Sequence, residues 1–384
     1  MCSLERNGRD HAVLHAEPLP VTLVDLFRAK VAAVPEPPFT SAALSGAFYA
    51  EAVRPLLSGR LHAAALLGWG SDVLGYDTER STDHGWGPRL LVFLDDEGDI
   101  QELDGVLAAR LPEQFRGWPV RYGWDEHPIR HQVTVTTLEA WLVDFLGVDA
   151  RAGMSTLDWL LTPQQRLLGV TAGRVYSDDG GALSQTRVAL SWFSEQVWRW
   201  LLACQWHRLA QEEAFVARTA QAGDEAGSAL TAARLVRDMI RLALMLDRRY
   251  APYQKWLGTA FARCHHSDGL PKNLDAALRA SDLQERESAL AAAYTILARR
   301  HNASGMTEQV EPSTREYHDR PARVLMADRF AEALLATIPD SPLAALPLLG
   351  SVDQLIDSTD VLSTPEHYRR LAALYDGLEA RTSR

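Results

Sequence analysis

The chain has 384 residues, 47% of them hydrophobic, and carries 39 basic against 50 acidic residues for a net charge of −11. That is enough chain for a large core and about two domains, and the acidic balance argues against life on duplex nucleic acid, leaving room only for a local basic groove. Its three cysteines, Cys2, Cys204 and Cys264, are far apart and form no CxxC pair, which excludes a disulfide framework or a cysteine zinc site and fits a reducing compartment.

Residues 1–40 read as a polar, then proline-bearing leader (Pro35, Pro37, Pro38), with a short helix predicted over Leu23 to Ala33. The opening Met1-Cys2-Ser3-Leu4-Glu5-Arg6 lacks the basic-then-apolar layout of a secretory signal. No apolar stretch reaches membrane-spanning length, so a cytoplasmic protein with no membrane partner is expected. From Ser41 the pattern is helical, with Phe48, Val53, Leu56 and Leu57 on one face and Leu61–Leu67 running into a first strand. Leu90–Leu94 is a strand closed by the turn Asp95-Asp96-Glu97-Gly98-Asp99. Pro119–Trp124 reads as a second strand. His131–Thr137 reads as a third, with Val133 and Val135 on one side and Gln132, Thr134 and Thr136 on the other. Gly173–Ser177, leading into Asp178-Asp179-Gly180-Gly181, reads as a hairpin edge.

Beyond Leu183 helix follows helix: Trp192–Arg218 as one or two segments, Ala229–Tyr250, Leu274–Arg279, Leu283–Asn302, Pro321–Ile338 and Thr364–Glu379. In the second of these Leu235, Met239, Leu242 and Leu246 form one stripe, and Pro252 should end it. The expected fold class is α+β: a mixed-sheet domain over 41–185, then a helical domain over 186–384, with a ligand cleft between them.

Chemistry concentrates in Gly68-Trp69-Gly70-Ser71 through Asp83-His84-Gly85-Trp86-Gly87. A Gly-Ser pair lets backbone approach a phosphate closely, and the amide and hydroxyl of Ser71 can both donate to its oxygens. Further on, Ser81-Thr82-Asp83 sits before the first strongly apolar strand, aiming an acid at whatever the turn holds. In a metal-dependent nucleotidyl-transfer site, two carboxylates at i and i+2 of a strand share a face and hold Mg²⁺ on a triphosphate. The plainer readings are an ordinary tight turn for Gly70-Ser71, a cap or turn acid for Asp83, solvated loop charges for Asp77 and Glu79, and a structural histidine for His84.

In the helical half, Arg234, Arg237, Arg241 and Arg248 fall on one helix face. They read either as a solvated face paired with Asp238 and Asp247 or as a basic wall opposite the phosphate turn. Lys255, set between Tyr253 and Trp256 just past a helix break, could reach a polyphosphate as a point charge. Trp192, Trp198, Trp200 and Trp206 read as helical core rather than a stacking pocket. The histidines have no companions at metal-ligand spacing, and there is no GxSxG elbow.

The runs Gly68-Trp69-Gly70-Ser71-Asp72-Val73-Leu74-Gly75-Tyr76-Asp77 and Ser81-Thr82-Asp83-His84-Gly85-Trp86-Gly87-Pro88-Arg89 resemble an uncharacterised bacterial family with a DNA-polymerase-beta-like nucleotidyltransferase fold. The resemblance extends over most of the chain, through Asp158-Trp159-Leu160, Pro163-Gln164-Gln165, Gln211-Glu212-Glu213, Tyr250–Phe261 and Arg320-Pro321. It implies a small nucleotidyltransferase-like domain followed by a helical bundle. The function expected is transfer of a nucleotidyl group from ATP or another nucleoside triphosphate with Mg²⁺ to an acceptor, with the phosphates on Gly70, Ser71, Lys255 and Arg241 and the metal on Asp83, which is the catalytic acid. A small-molecule acceptor is favoured over tRNA. The departure is at Asp83-His84-Gly85, where the family pattern is Asp-His-Asp. Gly85 supplies no carboxylate, and the polar face of His131–Thr137 supplies no third one, with Glu139 lying just past it. One carboxylate is a poor Mg²⁺ site, so a nucleotide-binding pseudoenzyme or a metal-independent reaction in the same cleft is the alternative.

Overall fold

In the computed structural model the described residues are 40–83, 86–124, 127–375 and 378. The leader helix, His84 and Gly85 lie outside them. Helix α1 (Ser41–Phe48) starts where Thr40 Oγ1 accepts from Ala43 N at 3.2 Å and the Asp77 carboxylate accepts from Ser41 N at 3.1 Å, two partners for amides that have none inside the helix. The chain then tightens through Arg54–Leu56 and enters β1 (His62–Leu66).

Four strands make one mixed sheet. β2 (Leu90–Leu94) lies between β1 and β7 (Val133–Thr136), and β8 (Arg174–Asp178) flanks β1 on the other side. β1 runs antiparallel to β2 and β8, with Ala64 opposite Val92, and β2 runs parallel to β7, with Leu90 opposite Val133. Between β2 and β7 come α2 (Ile100–Arg110) and two small hairpins, β3–β4 (Gln114–Phe115, Trp118–Pro119) and β5–β6 (Arg121–Trp124, His127–His131). The period-2 alternation of strands divides the sheet residues between two cores. Ala64, Leu90, Val92, Leu94, Val133 and Val135 face α1 and α2. Ala63, Ala65 and Phe93 face the other way, onto α3 (Leu138–Leu146), α4 (Thr156–Leu161), α5 (Gln164–Thr171) and the helices beyond.

The helical part comprises α6 (Ala182–Ala189), α7 (Glu195–Glu212), α8 (Phe215–Gln221), α9 (Glu225–Leu246), α10 (Gln254–Ala262), α11 (Leu270–Arg279) and α12 (Leu283–Ala303). Trp198, Trp200 and Trp206 are buried core, as their helical spacing suggested. The chain is α+β, as expected. Two segments differ: the helix expected over Thr364–Glu379 is a five-residue helix Pro365–Arg369 followed by a 3₁₀ turn Arg370–Tyr375 among the described residues, and the other lies before it. In place of a helix over Pro321–Ile338 there is a hairpin, β9 (Arg315–Tyr317) with β10 (Arg320–Val324), before a shorter α13 (Asp328–Leu335). Ala322 and Val324 are buried while Pro321 and Arg323 are exposed, an alternation of strand rather than helix, and in a two-stranded hairpin Pro321 can sit where no ladder donor is needed. After α13 the chain crosses back over α4 and α5 as short turns: Val352–Leu355, Thr359–Ser363, Pro365–Arg369 and a 3₁₀ turn over Arg370–Tyr375. Among the described residues no helix is long and apolar enough to cross a membrane.

Candidate functional site: the glycine-serine loop and the helix facing it

The loop that follows β1 is fixed from both sides. Gly68 N donates to Gly169 O at 2.9 Å, and Gly173 N donates to Val73 O at 2.9 Å. A Cβ on Gly169 would lie 2.7 Å from Gly68 O, so a glycine in α5 is what lets the helix close on the loop. Within the loop, Tyr76 N donates to Ser71 O at 2.7 Å. Among the described residues the amides of Trp69, Gly70, Ser71 and Asp72 have no acceptor. A run of free N–H groups in a glycine turn is the raw material of an anion site. Ser71 Oγ bonds Ser81 Oγ at 3.3 Å, which joins the turn to the 3₁₀ turn Glu79–Asp83. The side chain of Asp83 lies outside the described residues, so its expected catalytic and metal role is not placed by geometry.

The loop is held in shape by a pair the sequence did not single out. Arg89 Nε donates to Asp72 Oδ2 at 2.8 Å and Nη2 to Asp72 Oδ1 at 2.7 Å, and Nη2 also bonds Trp69 O. Asp72 is buried and further accepts from Val73 N at 2.9 Å and from Ser41 Oγ at 3.2 Å. Burial works against the charge of Arg89, but Asp72 outweighs it and the arginine's pKa is raised. Gly70 has φ +113°, and a Cβ there would lie 2.2 Å from Asp72 Oδ1 and 2.9 Å from Arg89 Nη2. Glycine at 70 is therefore required both for its backbone and for the ion pair against it. The one trace of this pair in the sequence is an acid directly after Gly70-Ser71 and an arginine directly before the β2 strand.

Trp69 makes a second tie. Its ring stacks under the Arg166 guanidinium, 3.7 Å from centroid to carbon, and meets the Phe145 ring edge-on at 5.3 Å. Burial lowers the Arg166 pKa to about 10. Its Nη2 bonds the carbonyl of Ser363, in the returning C-terminal segment.

Of the predicted cationic partners, Lys255 sits on the helix whose next residue meets the loop, but its own side chain lines a groove with Ala233, Val236, Arg237 and Leu278. Trp256, on α10, packs on Tyr76 at 5.4 Å between centroids, and Arg263 donates to Gly75 O at 2.8 Å while lying over the Tyr76 ring at 4.3 Å. Lys255 is exposed at the start of that helix, its ammonium 5.1 Å from the Trp256 centroid, with no carboxylate partner among the described residues. Tyr253 donates nothing to the loop but feels it: burial raises its pKa, its bond from Trp256 Nε1 opposes that, and the charge of Asp72 adds to the rise.

Arg241 lies elsewhere. Its Nη1 donates to Asp353 O at 2.8 Å, and burial lowers its pKa against the pull of Asp353. Arg234 and Arg237 on the same helix are also engaged, with Glu212 at 3.0 Å and Asp357 at 3.0 Å, whereas Arg248, expected on that face, lies past the end of α9 at φ +52° and pairs with Glu195 at 3.0 Å. The face mainly ties α9 to its neighbours.

For a Mg²⁺ ion the described donor set does not fit. No group of three His, Cys, Asp or Glu side chains gathers among the described residues. Asp72 is committed to Arg89, Asp77 to the start of α1, and Glu139 is exposed and paired with Arg151. The polar residues of β7 are Thr134 and Thr136.

A family described as a domain of unknown function (DUF4037) matches residues 159–257, a span that includes Lys255 but not Gly70-Ser71. No curated protein matches the chain. Among solved structures, a nucleotidyltransferase-like protein from Exiguobacterium sibiricum 255-15 is similar over 78% of this chain and 90% of its own, at 13% identity and a TM-score of 0.32. The α+β assignment rests on the sheet and helices themselves.

Proposed function

We propose that the protein binds the phosphate chain of a nucleoside triphosphate, ATP first among candidates, on the free amides of residues 69–72. The run of four amides without a partner among the described residues, in a turn braced by the buried Asp72–Arg89 pair, carries this reading. Ser71 adds its hydroxyl, and the outer phosphates extend toward the start of α10, where Lys255 supplies a flexible positive charge. The ligand is a small molecule, and any acceptor is too, since an acidic chain of net charge −11 is a poor partner for tRNA. In this reading nucleotide binding does not depend on a metal, since Asp72, Asp77 and Glu139 are committed elsewhere.

A second reading has its own support. Asp83 stands at the position of the family's metal acid, and Mg²⁺-dependent nucleotidyl transfer would follow if Asp83 gathers a metal with the substrate's phosphates. Calorimetry with ATP, with Mg²⁺ and with a chelator, separates the two. The proposal expects binding in both conditions, lost in Ser71→Ala/Lys255→Ala and kept in Asp83→Ala. Binding that needs Mg²⁺ and vanishes in Asp83→Ala would establish the transferase reading instead. No binding of any nucleoside triphosphate would end both.

A further inference from the structure

A cleft of about 620 Å³ opens where Tyr76 meets α5, α6, α9 and α10. That volume suits a small organic ligand. Its walls are apolar and aromatic, from Leu168, Leu244, Ala260, Tyr76 and Tyr250, while its charges are Arg187, Arg248 and Arg249 with no carboxylate among the lining residues. In a chain of net charge −11 such a one-signed cleft calls for a cause.

The three arginines are not equivalent. Arg248 is satisfied by Glu195 at 3.0 Å and by the Trp198 ring at 3.9 Å. Arg187 is half-buried and has carbonyl acceptors only: Nε to Val170 O at 3.1 Å, and Nη2 to Thr171 O at 2.6 Å and Ala172 O at 2.8 Å. Among the described residues no carboxylate pairs with it and its Nη1 has no acceptor. Burial lowers its pKa, and the carbonyls at the end of α5 are its acceptors in place of a counter-ion. Arg249 is exposed and has neither an ion pair nor a side-chain hydrogen bond among the described residues. A half-enclosed guanidinium with no counter-ion is costly, and an anion would relieve that cost.

We propose that this cleft binds a small organic anion, a carboxylate or phosphate monoester on an aromatic body. The oxyanion is taken by Arg187 and Arg249, and the body packs on Tyr76, Leu168 and Leu244. This site is separate from the amides of residues 69–72, with which it shares the segment ending at Tyr76, and it stands whether or not a nucleotide binds there.

The test is calorimetric titration of the full chain with 2-naphthoate, 2-naphthyl phosphate and the neutral 2-naphthamide. At least one anion should bind with Kd at or below about 1 mM, and the amide about tenfold more weakly or worse. The tighter anion identifies the preferred headgroup. Arg249→Gln removes the free guanidinium, and Val188→Glu adds a negative charge at a lining position that is 73% exposed, so both variants should fold. Each should weaken the anion about tenfold or more, with the thermal midpoint held. Failure of both anions to bind at millimolar concentration, an amide as tight as the anions, or binding unchanged in either variant overturns the proposal. Complete displacement of the bound anion by ATP overturns it as a separate site.

Discussion

At the scale of single residues, the site depends on what Gly70 omits. Its φ of +113° suits glycine, and the space a Cβ would need is filled by Asp72 and Arg89. Gly70→Ala should cost about 1–3 kcal/mol from the backbone alone, and it should abolish ATP binding by displacing the pair, read by denaturant melts and calorimetry. Arg89→Met should cost more than its exposure suggests, because it strands the Asp72 carboxylate in a buried position. Breaking one partner of a buried pair costs about 3–5 kcal/mol, and the lower end fits an arginine side chain that is 20% exposed. Asp72→Asn combined with Arg89→Met should recover part of that loss, whereas additive losses would mean the pair is not coupled. The place to look was legible in Gly70-Ser71. The pair that shapes it was not, because Asp72 and Arg89 are brought together by the loop's path and by α1, and no local periodicity announces that meeting.

At the scale of elements, long amphipathic segments were readable and short or interrupted ones were not. α12 lies within a residue of its predicted bounds and α9 was found but runs Glu225–Leu246, earlier than the expected Ala229–Tyr250 and ending before Pro252, because several turns of apolar stripe mark a helix better than they mark its ends. The β9–β10 hairpin is too short to outweigh the helical texture around it, although the alternation of Ala322 and Val324 was there to be read. The turn after that hairpin is held by Glu213, whose carboxylate accepts from Leu325 N at 2.6 Å and Ala327 N at 3.1 Å. Burial raises the Glu213 pKa to about 7, more than the two amides lower it. The folded protein then binds a proton that the unfolded chain releases near its ordinary value of 4.5. Stability from this group is complete below about pH 4.5 and is lost as pH rises through about 7. Thermal midpoints of Glu213→Gln set against the natural chain between pH 5 and 8 should converge or cross as that contribution goes, by an amount on the order of 2–3 kcal/mol. A constant offset across that range would show that Glu213 does not titrate there.

At the scale of the molecule, the sheet and the helices share one interior. Ala63, Ala65 and Phe93 belong to the same apolar cluster as Leu201, Met239, Leu297 and Leu334. The change of texture near residue 185 was plain in the sequence, but texture reports local periodicity and not which surfaces are buried together. Scanning calorimetry should therefore give a single transition, and a 41–185 fragment should show no cooperative melt, since one face of its sheet would be bare. Two resolved transitions, or a folded fragment, would mark two independent units.

The stack of Arg166 on Trp69 bears on when the molecule becomes competent. The carbonyl that anchors Arg166 belongs to Ser363, and Arg369 grips Asp158 at 2.7 Å from the same closing stretch. During synthesis the sheet and its glycine turn emerge first, and N-terminal parts fold first. The brace behind Trp69 arrives only once residues 363–369 have been translated. A ribosome-bound chain stalled before residue 350 would hold a loop of the right sequence without its anchor, so ligand capture would wait on the segment around Ser363.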